Sequence, residues 1–81
     1  MTAQEVLTQL TPIFIDILDN KNIALKPETT AKDIEEWDSI TYIQLIVAIE
    51  KHFKIKFTSI EVSNFKNVGE MCETIIKRLK K

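Results

Sequence analysis

The sequence predicts an all-α fold of three main helices and one short one, with a long loop between the first and second. Three observations carry this. Apolar residues recur at three- and four-residue steps in three separate stretches, as amphipathic helices require. One Gly and two Pro in 81 residues leave too few breakers for a turn-rich β chain. The one strand-like alternation, KIKF at 54–57, is four residues long and has no second strand to pair with.

The first helix is expected over about residues 2–19, with Thr2 and Glu5 as a capping box. Val6, Leu10, Ile13, Phe14, Ile17 and Leu18 form its apolar stripe. Pro12 lacks an amide and crowds the preceding turn. The stripe passes through it unbroken, so one bent helix is expected, with Asn20 suited to its end. Residues 20–38 form a long connection, and loops of that length are often functional. Leu25 and Ile34 are expected to pin it to the core, and Thr30 with Asp33 to cap a short turn.

The next helix is expected over 39–53, capped by Asp38 or Ser39. Its apolar residues, Ile40 to Phe53, spread over an arc of roughly 220° where a helix on one core needs little more than about 100°. Either this helix is nearly surrounded or part of its apolar arc awaits a partner. KIKF then reads as an extended link burying Ile55 or Phe57, followed by a short helix near 59–64 carrying Ile60 and Val62. The last helix is expected to start at Asn67 with Glu70 three residues on. It should face inward through Met71, Cys72, Ile75, Ile76 and Leu79. Lys77, Arg78, Lys80 and Lys81 sit at its C-terminal end, where positive charge suits the helix dipole.

Residues 1–81 read as a single domain. With Cys72 as the only cysteine, no intrachain disulfide can form, and a reducing, cytoplasmic setting is expected. The N-terminus does not read as a signal peptide, and no apolar run is long enough to insert in a membrane. The formal net charge of −1 gives no general pull toward nucleic acid. The charge is nonetheless polarised: nine acids and three bases in residues 1–50, three acids and eight bases in 51–81. Asp33, Glu35, Glu36 and Asp38 crowd before Ser39, and Lys51, Lys54 and Lys56 follow the second helix.

The inventory argues against a self-contained enzyme. His52, the only histidine, falls on the polar side of its helix, thirteen residues or about 20 Å from Ser39, too far to act as its base. One His and one Cys make no metal cluster. Gly69, the only glycine, cannot make a phosphate-cradling loop, and Cys72 reads as a small buried hydrophobe. A helix-turn-helix DNA binder fits poorly, because the 39–53 helix offers aliphatics and follows acids that phosphates repel. An unmodified helical interaction module fits the composition.

Ser39 decides between these readings. Asp-Ser at a helix start is an ordinary cap. It also lies where an attached phosphate would find free amides and a favourable dipole, after a loop that should expose it. A hydroxyl there suits covalent attachment of an anionic group.

EEWDSITYIQLIVAIEKHFKIKF, residues 35–57, resembles the modification site and second helix of an acyl carrier protein, and the helix order across the chain is similar to that family's. The resemblance implies a four-helix bundle of acyl carrier protein type, of the stand-alone kind. It implies that Ser39 receives 4′-phosphopantetheine from coenzyme A through a magnesium-dependent phosphopantetheinyl transferase. Asp38 and Ile40 match the acid and the hydrophobic contact beside that serine. The thiol of the arm would hold acyl groups as thioesters for acyl-loading and acyl-transfer enzymes, so no catalytic residue is needed. Ile46, Ile49, Val62, Phe65 and Met71 match positions around the family's acyl cleft, although each also reads as core packing.

The chain departs from the family in its second helix. Carriers of ordinary fatty acid synthesis present acids to basic enzymes there. Here Thr41 and Gln44 are neutral, Lys51 is positive, and Glu50 alone keeps the sign. Recognition is therefore expected to lean on Trp37, Ile40 and Val47, and the partners to belong to a dedicated lipid, polyketide or secondary-metabolite pathway. A peptidyl carrier is the near alternative. Those carriers more often place glycines before the Asp-Ser or His-Ser pair, where this chain has Glu36-Trp37. The carrier is expected to act as a monomer.

Overall fold

The computed structural model describes residues 2–79. Its four helices are α1 (Ala3–Leu18), α2 (Ser39–Phe53), α3 (Ser59–Asn64) and α4 (Val68–Leu79), with a 3₁₀ turn at Ala31–Asp33 inside the long loop. Lys80 and Lys81, expected at the end of the last helix, lie outside the described residues.

The α1 capping box forms as expected: the Glu5 amide donates to the Thr2 hydroxyl at 3.2 Å, and the Thr2 amide to the Glu5 carboxylate at 2.8 Å. Pro12 sits within one continuous helix. It is exposed, as is Thr8 four residues before it, so the carbonyl that Pro12 cannot serve faces water rather than core. The helix ends at Asp19, which takes the left-handed conformation (φ 52°). Asn20 follows at the helix end as expected, its amide donating to the Ile15 carbonyl at 3.2 Å and its side chain accepting the Asn22 amide.

The core is built from α1, α2 and α4. Val6, Leu10, Phe14, Leu45, Ile49, Val68, Met71 and Ile75 are fully enclosed, and α1 packs against both α2 and α4. Cys72 is buried among them, and Leu79 emerges at the helix end. The α3 helix contributes no fully buried residue. It is held by a few contacts: the Tyr42 hydroxyl donates to the Val62 carbonyl at 2.6 Å, Arg78 pairs with Glu61, and Phe57 meets Phe65 edge-on at 5.3 Å. Ile60 is 73% exposed. The KIKF link begins at Lys54 in the left-handed conformation (φ 58°) and half-buries both Ile55 and Phe57.

The long loop is tied down. Ile23, Leu25 and Ile34 are buried, and two of its carbonyls cap α4: Val68 N–H donates to Thr29 O at 2.9 Å and Gly69 N–H to Pro27 O at 2.8 Å. The Asn67 side chain accepts the Glu70 amide. The Glu70 carboxylate reaches the Lys66 amide rather than that of Asn67, so the expected box is displaced by one residue.

This contact explains the one glycine. A Cβ at Gly69 would lie 2.9 Å from the Pro27 carbonyl oxygen, a backbone atom. Gly69→Ala should push the loop off α4 and cost about 1–3 kcal/mol, the usual scale of overpacking. Urea unfolding checks this, and an unchanged midpoint would show that the loop does not need the close approach.

Candidate functional site

The α2 helix starts at Ser39 because Asp38 caps it. One Asp38 carboxylate oxygen accepts both the Ile40 amide (3.0 Å) and the Thr41 amide (2.9 Å). The Thr41 hydroxyl accepts the Asp38 amide at 2.8 Å and donates to the Glu36 carbonyl at 2.9 Å, closing a reciprocal box. The Thr41 amide, above all, holds the Asp38 carboxyl below its ordinary value of 3.8. Capping by the neighbour leaves Ser39 exposed as the first residue of α2.

Ser39 opens on a pocket of about 230 Å³ lined by Ala31, Trp37, Asp38, Tyr42, Phe65 and Lys66 besides itself. Tyr42 lies one turn along α2. Burial pushes its phenol up to about 12, so it remains a neutral donor to α3. Lys66 is the cation of the pocket and had no signal in the sequence, since it lies 27 positions from Ser39 in an irregular link. The site fits a phosphate-linked arm: an open hydroxyl, a partly apolar recess and one ammonium group. One expectation is corrected. The Ile40 and Thr41 amides that a phosphate was to find free are taken by Asp38, which leaves Lys66 as the nearby positive group.

The expected docking residues divide. Ile40 is 70% exposed and Val47 44%, and Gln44 is exposed. Trp37 is not on that surface: it is buried, edge-on to Phe14 with ring centroids 5.2 Å apart, because closing the loop on α1 requires its ring as filler. Thr41 is also corrected, because its hydroxyl is committed to the cap. Glu50 lines the groove beside Val47 and Lys51, and its carboxylate also accepts the Phe57 amide at 2.8 Å, bracing the link to α3. Ile43, 66% exposed, is a surface residue the sequence did not single out.

Of the expected cleft residues, only Phe65 lines the pocket beside Ser39. Val62 is half-buried on α3. Ile46 is buried, and Ile49 and Met71 are sealed in the core. His52 is exposed and lies 2.9 Å from the Gln9 side-chain oxygen, a surface tie between helices. Burial pushes the Cys72 thiol up to about 11, so it stays protonated and unreactive at neutral pH. Among the described residues no group of His, Cys, Asp and Glu is placed to hold a metal, and no helix is long and apolar enough to cross a membrane.

Two outcomes are expected. Because the folded carboxyl of Asp38 is depressed, its contribution is present above pH 3.8 and is lost as pH falls through the lower folded value. Asp38→Asn should therefore be less stable at neutral pH and show a shallower acid transition, read by circular dichroism; identical acid curves would contradict this. Tyr42→Phe should cost about 0.5–1.5 kcal/mol, the net worth of one hydrogen bond. It should speed amide exchange in α3 while leaving α1 unchanged. Unaltered α3 exchange would show that the bond does not hold the helix.

A family model described as phosphopantetheine attachment site matches residues 8–75. The chain is 28% identical over 75 residues to an acyl carrier protein of Acidothermus cellulolyticus, covering 93% of this chain and 89% of that protein. It also superposes on the solution structure of a holo acyl carrier protein from Geobacter metallireducens. There the TM-score is 0.86 and the identity 44%, over 91% of this chain and 85% of that one. With an exposed serine opening α2 in the same helical frame, the chain belongs to the acyl carrier proteins, the family that bears a covalently attached 4′-phosphopantetheine.

Proposed function

We propose that Ser39 is the residue that accepts 4′-phosphopantetheine from coenzyme A, and that the chain then serves a dedicated acyl pathway as a monomeric cytoplasmic carrier. The arm supplies a thiol that holds acyl groups as thioesters. The observation that supports Ser39 is its position: exposed, first in α2, and held outward because Asp38 does the capping. Lys66 is placed to offset the phosphodiester charge, and Asp38 and Ile40 flank the serine for a phosphopantetheinyl transferase.

Cargo would enter between α2 and α3. Tyr42 and Phe65 stand at the mouth, and Val62 lies behind them on α3. Ile46, Ile49 and Met71 would then line deeper space, which opens only if α3 moves, since Ile49 and Met71 are tightly packed. Acyl-loading and acyl-transfer enzymes would read the exposed α2 surface at Ile40, Gln44 and Val47. The one acid of α2, Glu50, sits beside Val47 and Lys51 and turns its carboxylate to the Phe57 amide. This supports partners in a lipid, polyketide or secondary-metabolite pathway rather than the housekeeping fatty acid enzymes.

The test is direct. The purified chain is incubated with coenzyme A, magnesium and a promiscuous phosphopantetheinyl transferase, then weighed. One phosphopantetheine per chain is expected, and none on Ser39→Ala that retains its helical spectrum. A gain in mass on the alanine variant would place the attachment elsewhere.

A further inference from the structure

We infer that α2 and the link after it form one docking face with an apolar half beside Ser39 and a basic half beyond it, and that this face fits a partner enzyme with an acidic patch. The inference rests on the carrier reading above and adds the sign of the partner's surface. At 100° per residue Ile40, Ile43, Val47 and Lys51 fall within about 80° of one another. The first three are the exposed hydrophobics of α2, at 70%, 66% and 44%. Val47 also lines a groove of about 700 Å³ together with Glu50, Lys51, Lys54, Lys56 and Arg78, so the apolar stripe runs into a cluster in which cations outnumber the one acid.

Two acids stand near the cluster. Glu61 pairs with Arg78, the sole ion pair among the described residues, and Glu50, which lines the groove and accepts the Phe57 amide, keeps its charge, so three unpaired lysines outnumber one carboxylate. Lys51, Lys54 and Lys56 are exposed and carry no ion-pair partner among those residues. They lie at the C-terminal end of α2, where the helix dipole favours cations. Ile40 and Lys51 are eleven residues apart, about 16 Å along the axis. A matching enzyme therefore needs an apolar socket where the arm enters and an acidic patch about 16 Å away. A basic patch at that place would be repelled. Complementary charge of this kind sets partner choice and encounter rate more than final affinity.

A housekeeping ketoacyl synthase, whose carrier-docking patch is basic, serves as the probe. All chains are first converted to the phosphopantetheinylated form and weighed; failure at that step counts against the carrier reading itself. Acyl-transfer kcat/KM is then measured for the wild-type chain, Lys51→Glu/Lys54→Glu/Lys56→Glu, and Lys51→Gln/Lys54→Gln/Lys56→Gln. The glutamine set guards against loss of helix stability in the glutamate set. The glutamate set should be used roughly tenfold better than wild type and the glutamine set better by a smaller factor, both gains shrinking with added salt. A synthase whose docking Lys and Arg are replaced by Glu should reverse the order. Equal kcat/KM for all three chains on both synthases overturns the inference. So does lysine-dependent sedimentation of the wild-type chain with phosphatidylglycerol vesicles alongside unchanged transfer, which would assign the basic half to a lipid surface.

Discussion

The placement of the site depends on one carboxylate. Asp38 accepts the Ile40 and Thr41 amides with a single oxygen, and Thr41 returns the bond to the Asp38 amide. The first turn of α2 is thus satisfied from outside the helix, one residue before it begins. Had Ser39 been the cap, its hydroxyl would have been consumed by an amide. Because the neighbour does that work, the serine projects from a rigid start with its oxygen available. Thr41 extends the bracing to Glu36 O, so the end of the long loop and the start of the helix move together.

From that fixed start the structure grades from firm to loose. The α1, α2 and α4 helices share the sealed core, while α3 buries nothing completely. Six residues are too few for a helix to persist alone in water. Its stability comes from the Tyr42 hydroxyl and the Arg78 pair at its middle, Val62 and Glu61, and from the Phe57–Phe65 contact between its flanks. Elements held by few buried contacts are the first to open. A wall of that kind beside the serine suits a protein that must shelter a cargo and then give it up.

Charge is arranged along the same axis. Acids gather in the loop before Ser39 and lysines at the far end of α2, with exposed aliphatics between. With a formal net charge of only −1, the domain is nonetheless strongly dipolar along α2. Glu50 does two things there: it is the one acid lining the groove among these lysines, and its carboxylate accepts the Phe57 amide.

The helices, their order and a cap at Asp38 or Ser39 could be read from the chain, because capping and amphipathic spacing are local: each depends on residues three or four apart; the structure chose Asp38. The exposed serine followed from the same local logic. Trp37, Lys66 and Gly69 could not be read. Trp37 was assigned to the surface, yet its ring fills the gap where the loop closes on Phe14. Lys66 reaches the site only because α3 folds back toward α2, and Gly69 is required only because Pro27 crosses the start of α4. The broad apolar arc of α2 was ambiguous for the same reason. Periodicity tells how much of a helix is apolar, whereas the position of its neighbours determines which part is covered. By itself the sequence determined the elements and singled out Ser39 at the start of α2; the tertiary packing decided which side chains face the core, the pocket or a partner, since those contacts join residues far apart in the chain.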